Sequence, residues 1–425
     1  MVKLYYHDKF DLKRESISLR KHKLVKDRLL NEGIVNKENI VEAKPLTIDD
    51  LLVVHTKEYI NAVKTGKPIE LAESNGIKWG KDVYERSLYS LGSVYRALES
   101  ALKDGISGSL SSGYHHAHRS HGKGFCTFNY IVPIKKLMLE GKIKNALIMD
   151  CDVHHPDGTE DCIGDDERIV SLSINGTSIF KNKKNKVSFG VSLPNGIDYY
   201  KYEGILEDIL FKAIDQKKPD VILYKASQDS HVLDIFGNLK FTAQNLFERD
   251  QFVIRYARLN GIPISFIIGS GYSRPIDITV NGHINTVKAA IEIEKENPMG
   301  VDQFNIELVE QIERENLKQI EEGKIYFLDK LTDRLDRMSG RKMRAGKLFN
   351  PGMDSFYFKI NDKWDYDNFQ GIHCSIEPLN LMNEEEFKEL CNKVSVPQAL
   401  VEKIVSLEKR DHFVSKEDHY IDTKN

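Results

Sequence analysis

The stretch NALIMDCDVHHPDGTED (145–161) decides the fold, because a short apolar run passes directly into a run of acidic residues and histidines. NALIMD (145–150) is apolar on both faces, which is typical of a parallel strand covered by helices on both sides. Side chains two positions apart on an extended chain share a face, so Asp150, Asp152 and His154 can line one wall. The stretch therefore predicts a buried strand with a polar site at its carboxyl end.

Similar apolar runs recur on both sides of this stretch and alternate with longer, helix-like segments. The further predicted strands are KLYY (3–6), ISGSL (106–110), RIVSLS (168–173), DVILYKA (220–226) and PISFII (263–268). Helices are predicted between them at 49–63, 88–105 and 204–218. Alternation of strands and helices is typical of doubly wound proteins, so we expect a three-layer α/β/α fold around a central, mostly parallel sheet.

The character of the chain changes after about residue 297, where charged residues become more frequent while aromatic residues such as Trp364 persist. We therefore predict two parts. Residues 1–297 form the main α/β domain. Residues 298–425 form a C-terminal extension, which we expect to be mainly helical and packed on that domain.

The composition of the 425-residue chain excludes several classes of protein. It has 61 Lys and Arg residues against 64 Asp and Glu, a net charge of −3, which argues against a broad basic surface for nucleic acid. No run approaches the roughly 18 apolar residues of a membrane span, and the start lacks an apolar signal core. The five cysteines are scattered without a CxxC pair, which favours a reducing compartment. We expect a cytoplasmic protein that binds neither nucleic acid nor membrane, and the oligomeric state stays open.

Polar side chains follow four of the predicted strands, where each strand ends. Besides Asp150, Asp152 and His154 they are His115, His116, His118 and His121 after ISGSL, Asp229, His231 and Asp234 after DVILYKA, and Tyr272 after PISFII. Ligands of an open parallel sheet bind outside the carboxyl ends of its strands. Two residues of the 150–154 group, with Asp234 as the natural third ligand, would form a mixed Asp/His site with an open position for water. Zinc accepts such ligands, and an open position is typical of catalytic zinc.

Two histidine pairs, His115-His116 and His154-His155, lie close to aspartates in the sequence. A buried histidine base needs a carboxylate on its far nitrogen to fix its tautomer and basicity, and Asp150 and Asp157 bracket the second pair. The competing interpretation is that paired histidines are ordinary polar residues of a surface loop. We interpret His118 and His121 as loop residues, and Asp229 and His231 as residues that hold the loop of Asp234 in shape.

The same residues lie in strings that resemble the histone deacetylase family, which also contains acetylpolyamine amidohydrolases. The strings are GYHHAHRSHGKGFCTFN (113–129), MDCDVHHPDGTED (149–161), VSLSING (170–176), VSLPNGIDYY (191–200), DSHVLDIFG (229–237) and GSGY (269–272). They occur in the family's order across residues 1–297. The resemblance implies an arginase/deacetylase-like fold, with residues 1–297 as its catalytic domain.

The resemblance also implies a role for each matching residue. Asp152, His154 and Asp234 would bind a catalytic zinc ion. His116 would be the general base with Asp157 as its partner, His115 would be oriented by Asp150, and Tyr272 would donate to the acyl oxygen. The substrate channel would be lined by Gly124, Phe125, Phe180 and Gly271. A structural potassium ion would be held by backbone oxygens of Asp150, Asp152, His154, Ser171 and Leu172.

Three features depart from the family pattern. Pro156 stands where the family usually has glycine, which restricts the loop that carries Asp157. Ser270 interrupts the glycine run before Tyr272. VSLPNGIDYY lacks the usual Gly-Thr-Gly, so a second potassium site is not expected. None of the departures removes a ligand, the base or the tyrosine.

The residues and the resemblance together predict a zinc-dependent hydrolase that removes acetyl or short acyl groups from an amine. The substrate is either an acyl-lysine in a protein or a small acylated amine such as an acetylpolyamine, and the sequence does not decide between them. A non-catalytic scaffold of the same fold is a second alternative, which the complete set of site residues disfavours. An arginase-like ureohydrolase is a third, but the paired aspartate strings of its two-metal site are absent.

Overall fold

An eight-stranded sheet forms the middle layer of this computed structural model, which describes residues 1–12, 21–176 and 188–296 and two short strands further on. The strands are β1 (Lys3–Tyr6), β2 (Ile40–Glu42), β3 (Ile106–Ser109), β4 (Ala146–Asp150), β5 (Ile169–Gly176), β6 (Ser188–Leu193), β7 (Ile222–Ala226) and β8 (Ile264–Ile268). Their order in the sheet is β2-β1-β3-β8-β7-β4-β5-β6, and every pairing is parallel.

Helices follow most of the strands and cover the sheet. They are α1 (Lys21–Asn31), α2 (Ile48–Leu51), α3 (Lys57–Thr65), α4 (Ile69–Ala72), α5 (Lys81–Asp104), α6 (Ile131–Leu139), α7 (Asp157–Ile163), α8 (Tyr199–Lys217), α9 (Ala243–Leu259) and α10 (Ile276–Glu296). Every residue of β3, β4, β5, β7 and β8 is buried, as expected for strands covered on both faces. The predicted α/β/α fold with a parallel sheet is therefore confirmed.

The helix predicted over 49–63 is interrupted and forms two helices, α2 and α3. The chain turns at His55, which is buried between the two helices and bonds to two backbone groups of the loop that follows β3. Its Nδ1 lies 3.0 Å from the carbonyl oxygen of His118, and its Nε2 accepts from the N–H of Asn129 at 3.0 Å. Thr56 then caps the next helix by accepting from the N–H of Tyr59. The turn between α2 and α3 thus supports the loop that follows β3.

Contacts within the chain divide it into Met1–Pro298 and Met299–Asn425. In the second unit, β9 (Gly346–Lys347) and β10 (Tyr357–Phe358) form an antiparallel pair. The predicted helical character and packing of the extension lie outside the described residues, and its boundary stays a prediction. None of the helices in the described part of the chain is long and apolar enough to cross a membrane.

Two helical glycines give a matched test of the packing between α5 and the chain before α2. A Cβ atom on Gly92 would lie 1.8 Å from the backbone oxygen of Lys44, whereas a Cβ atom on the exposed Gly204 would meet no atom within 4 Å. Because backbone cannot easily yield, we expect Gly92→Ala to lower the free energy of unfolding by about 3 kcal/mol. Gly204→Ala should instead stabilise the protein by up to about 1 kcal/mol. Urea denaturation measures both, and equal effects of the two substitutions would contradict this packing.

Candidate active site

The loops after β3, β4, β7 and β8 meet at one edge of the sheet, because these four strands are neighbours in it. The order β3-β8-β7-β4 brings together residues that are up to 157 positions apart in the sequence, from His115 to Tyr272, at the carboxyl ends of parallel strands. A cavity of about 260 Å³ lies there. His115, His116, His154 and Tyr272 all line this cavity, as the positions of the strand ends predict.

Asp152 and His154 present a carboxylate and an imidazole towards each other just beyond β4. Asp152 Oδ1 lies 2.9 Å from His154 Nδ1, which in turn lies 3.2 Å from Asp229 Oδ2. Ligand atoms bound to zinc at 2.0–2.2 Å in a tetrahedron are about 3.3 Å apart. Two carboxylate oxygens and one imidazole nitrogen at these separations fit a zinc ion with an open fourth position.

Asp234, the third ligand predicted from the sequence, lies on the loop after β7 and is 4% exposed. Its Oδ1 accepts the N–H groups of Phe236 and Gly237 at 2.9 and 3.0 Å, and its Oδ2 accepts the N–H of Tyr272 at 2.6 Å. Asp234 therefore ties the loop after β7 to the loop that carries the tyrosine. Among the described residues, the group of ligand atoms around His154 contains Asp229 and not Asp234.

Asp229 was assigned only a loop-shaping role by the sequence. It does hold backbone, since its Oδ1 accepts the N–H of Val153 at 3.2 Å. It is also fully buried beside His154, and burial together with the charge of Asp152 raises the pKa of Asp229 to about 8. Its position three residues after β7, close to that of Asp152 after β4, is the signal in the sequence that points to this second role.

Lys225 is the site residue that the sequence reasoning missed. It lies opposite Asp150 in the register of β7 and β4, and it is 2% exposed. Its Nζ donates to Asp152 Oδ2 and lies 3.6 Å from Asp150 Oδ1 and 3.2 Å from His115 Nδ1. Burial alone would lower the pKa of Lys225, but Asp150, Asp152 and Asp229 raise it, so its ammonium is charged. A lysine within the otherwise apolar run DVILYKA is the signal that could have identified it.

His154 is held between two carboxylates. Burial lowers the pKa of His154, but its contacts with Asp152 and Asp229 outweigh burial and raise it to about 10. An imidazole must lose its proton to bind a metal, so the binding of a divalent cation at this nitrogen would displace that proton. The strong attraction for a proton shows how much negative charge surrounds Nδ1.

Each histidine of the pair after β3 has its own carboxylate, as the sequence predicts. His115 Nδ1 lies 3.0 Å from Asp150 Oδ2, and His116 Nδ1 lies 2.7 Å from Asp157 Oδ1. The two rings are 4.0 Å apart. With Nδ1–H of His116 donating to Asp157, the Nε2 of that ring keeps a lone pair. Burial and the neighbouring His115 lower the pKa of His116 to about 4, so the ring is a neutral proton acceptor at pH 7.

Asp157 is the first residue of α7, directly after Pro156. Besides His116 it contacts Lys123, and its Oδ2 lies 3.6 Å from His118 Nε2. Burial raises the pKa of Asp157, but His116 and His118 outweigh burial and hold it well below its usual range. His118 stacks on His121 with ring centroids 4.4 Å apart. His118 thus helps to keep the partner of His116 ionised.

Two glycines predicted near the channel support its walls. Gly124 has φ +52°, and a Cβ atom there would lie 2.6 Å from His116 Cδ2. Gly271 has φ +155°, and a Cβ atom there would lie 2.4 Å from Thr279 Cγ2. Both positions therefore need glycine if His116 and Tyr272 are to keep their places.

The mouth of the cavity is aromatic. Phe125 is 39% exposed and Phe236 is 57% exposed, and Phe236 packs edge-to-face on Tyr272 with ring centroids 5.0 Å apart. Phe180, the fourth residue predicted for the channel, lies outside the described residues. Sequence reasoning did not identify Phe236, although its position two residues after Asp234 placed it at the same edge of the sheet.

Two of the residues predicted to hold potassium, Ser171 and Leu172, lie on the strand next to β4. This strand is β5, where they pair with Ile148 and Met149 of β4. Ser171 Oγ is buried and makes no hydrogen bond. This unbonded oxygen is compatible with a cation there, while the ammonium of Lys225 supplies one positive charge near Asp150.

Comparison with known proteins gives consistent results. Residues 16–287 match the model of the histone deacetylase domain family. An uncharacterized protein of Picosynechococcus sp. is 30% identical over 275 residues, which are 64% of this chain and 92% of that protein. Histone deacetylase 2 of Arabidopsis thaliana is 27% identical over 58% of this chain and 66% of its own length. The acetoin utilization protein AcuC of Staphylococcus aureus is 24% identical over 59% of this chain and 71% of its own.

Solved structures share the fold. The crystal structure of the HDA15 HD domain aligns with a TM-score of 0.59 at 17% identity, covering 69% of this chain and 91% of that chain. At this level of identity the likeness is one of fold alone.

Removing the ammonium of Lys225 tests the charge balance of the site. Lys225→Met leaves Asp150 and Asp152 buried without their cation, so in metal-free protein we expect a loss of about 3–5 kcal/mol in the free energy of unfolding. Urea denaturation in the presence of a chelator measures the loss. Lys142→Met, at a half-exposed surface pair with Glu99, is the matched control and should cost no more than about 1 kcal/mol. Similar costs for the two substitutions would show that Lys225 does not balance the carboxylates.

Proposed function

Because the chain belongs to the histone deacetylase family, we propose that it is a zinc-dependent amidohydrolase that removes acetyl or short acyl groups from the ε-amine of lysine. The observation that carries the proposal is the arrangement around one cavity of two His–Asp pairs, the Asp152–His154 group and Tyr272. Binding, proton transfer and oxyanion stabilisation are the three tasks of amide hydrolysis, and each has a candidate residue here.

We assign the metal ligands as Asp152, His154 and Asp234. Zinc in this position would supply Lewis acidity towards the amide carbonyl and the attacking water. The motif match supports Asp234, as do its burial and its bond to the backbone of Tyr272. Asp229 is the rival third ligand, because it already lies 3.2 Å from His154 Nδ1.

His116 is the proposed general base and acid. Its Nε2 accepts a proton from water as the water oxygen attacks the carbonyl carbon, while Asp157 stabilises the imidazolium through Nδ1–H. The same Nε2 then returns the proton to the leaving amine as the C–N bond breaks. His115, held by Asp150, contributes mainly electrostatically, because its ring lies against that of His116. No covalent intermediate is needed, in keeping with the buried, free cysteines Cys126, Cys151 and Cys162.

Tyr272 is the proposed donor to the oxyanion. Burial raises the pKa of Tyr272, so its hydroxyl stays protonated and able to donate. The bond from its N–H to Asp234 and the packing of its ring against Phe236 fix its orientation. A donor held in place before the reaction stabilises developing negative charge without reorganisation.

The lining of the cavity favours acyl-lysine over acylated polyamines. Among the described residues, no carboxylate side chain lines it, whereas Lys21, Arg86, Lys123 and Lys225 do. Lys123 and Lys225 are paired with Asp157 and Asp152, but the charges of Lys21 and Arg86 would repel a second or third amine of a polyamine. The rings of Phe125 and Phe236 at the mouth suit the aliphatic part of a lysine side chain instead. We also propose a cytoplasmic location. A structural potassium ion would be held by backbone oxygens of Asp150, Asp152, His154, Ser171 and Leu172.

Release of the acyl group by purified, zinc-loaded protein tests the function. The panel contains acetyl-lysine peptides and acetylpolyamines, each with and without chelator. We expect chelator-sensitive hydrolysis of the peptides and little hydrolysis of the polyamines. If zinc binds but no substrate is hydrolysed, the non-catalytic scaffold becomes the better account, and preferred hydrolysis of polyamines would contradict the substrate class.

Removal of one hydroxyl tests the oxyanion donor. Tyr272→Phe should lower kcat about 10²- to 10³-fold while the zinc content of the protein stays the same. Tyr200→Phe, which removes a hydroxyl from a side chain that is 72% exposed, is the control and should leave kcat unchanged. Full turnover by Tyr272→Phe would assign the donor to another group.

Two matched substitutions separate the rival third ligands. Asp234→Asn should weaken zinc affinity by a larger factor than Asp229→Asn, because loss of a ligand costs more than the roughly 10- to 100-fold typical of a supporting residue. Competition with a chromogenic chelator measures both affinities. The reverse order would make Asp229 the ligand and Asp234 the residue that supports the tyrosine loop.

A further inference from the structure

Arg86, on α5, carries an N–H group that has no hydrogen-bond partner among the described residues. The side chain is 3% exposed, and its Nε donates to the carbonyl oxygen of Phe10 at 2.8 Å. Its NH2 nitrogen is buried and makes no hydrogen bond. A buried guanidinium with free donors is costly, and such groups normally have an anion or a carbonyl in reach.

Arg86 lies at the inner end of the cavity. It lines the cavity with Ser112 and Tyr114, which are buried, whereas the aromatic residues at the other end are exposed. An amine that enters between Phe125 and Phe236 therefore directs its acyl group inwards, towards Arg86.

Gly113 leaves the approach to the guanidinium open. It has φ +94°, and a Cβ atom there would lie 3.7 Å from Arg86 NH2 and 3.3 Å from the backbone oxygen of Phe125. Any side chain at this position would occupy space in front of the free N–H group. The backbone thus exposes Arg86 to the cavity rather than covering it.

The nearby charges do not use the free donor. Asp11 is the carboxylate that acts most strongly on Arg86, and its oxygens accept from His22 Nδ1 at 2.6 Å and from the N–H of Lys23 at 3.0 Å. The buried ammonium of Lys21, which also lines the cavity, donates to the carbonyl oxygen of Gly269 at 2.7 Å. Arg86 and Lys21 therefore bring two cations to the inner end, and Arg86 keeps a donor available for an anion.

We propose that the inner end of the cavity binds a carboxylate through Arg86, and that the preferred substrates are amines acylated by a dicarboxylic acid, such as succinyl- or glutaryl-lysine. The proposal rests on the amidohydrolase function proposed above and names its acyl group. Water adds to the amide carbon, the C–N bond breaks, and a proton passes to the amine. The products are free lysine ε-amine and a dicarboxylate, so no further reactant is needed.

A matched pair of substrates tests the carboxylate directly. Succinyl-lysine and succinamoyl-lysine peptides differ only in a terminal carboxylate or amide, and glutaryl-lysine and acetyl-lysine peptides complete the panel. We expect kcat/KM of the zinc-loaded protein to be at least about tenfold higher for the succinyl than for the succinamoyl peptide, as expected for one charge-assisted contact. Arg86→Met should remove this preference, and Arg86→Lys, which keeps the charge but loses the planar fork, should retain part of it.

Controls distinguish the possible failures. Arg96→Met, at an exposed arginine of the same helix, should leave the preference unchanged. Calorimetric titration with succinate and with acetate reports binding without turnover. Hydrolysis of acetyl-lysine without any preference for succinyl would overturn the inference and leave the proposed function intact. Binding of acetate alone through Arg86 would assign the site to the carboxylate product and overturn the substrate class. Succinate binding that depends on Arg86, without hydrolysis of any peptide, would support the carboxylate site and contradict the amidohydrolase function.

Discussion

Three carboxylates buried beside a single ammonium are the constraint on which the site depends. Asp150, Asp152 and Asp229 are completely buried. The protein's own side chain Lys225 places its ammonium beside Asp150 and Asp152. Without a metal, bound protons offset this negative charge, since the pKa of Asp229 is raised to about 8 and that of His154 to about 10. Once these protons leave, three negative charges and one positive charge leave the group two charges short of neutrality, which is the charge of one divalent cation. Burying such an excess is costly unless it is compensated, so the same charges that destabilise the empty site favour a metal in it.

The sheet makes this arrangement possible. The β7–β4 register places Lys225 opposite Asp150. The loop after β4 then carries Asp152 and His154, and the loop after β7 carries Asp229 and Asp234. The turn at His55 supports the loop of the histidine pair, so a helix break far from the cavity helps to set the position of the base. The reactive side chains therefore lie on loops at the ends of buried strands, and the exposed rings of Phe125 and Phe236 lie at the mouth.

Much of this could be predicted from the sequence, because buried parallel strands are apolar runs and their polar residues collect at one end. All six predicted strands exist, and the His115–Asp150 and His116–Asp157 pairs form. The strands β2 and β6 were missed, since IVE has only three residues and SFGVSL alternates apolar and small or polar residues instead of forming a continuous apolar run. The break at His55 could not be predicted, because its hydrogen-bond partners are more than 60 residues away. Lys225 was missed because strand patterns count apolar residues, while a buried lysine depends on carboxylates from another strand.

The central claim is that the negative group at the end of β4 and β7 binds one zinc ion at Asp152 and His154. X-ray diffraction from zinc-loaded crystals, recorded on both sides of the zinc absorption edge, tests it most directly. The account predicts a single anomalous peak within about 2.0–2.2 Å of Asp152 Oδ1 and His154 Nδ1, with Asp234 or Asp229 completing the protein ligands. The absence of an anomalous peak at these atoms, or a peak only at other residues, would contradict it.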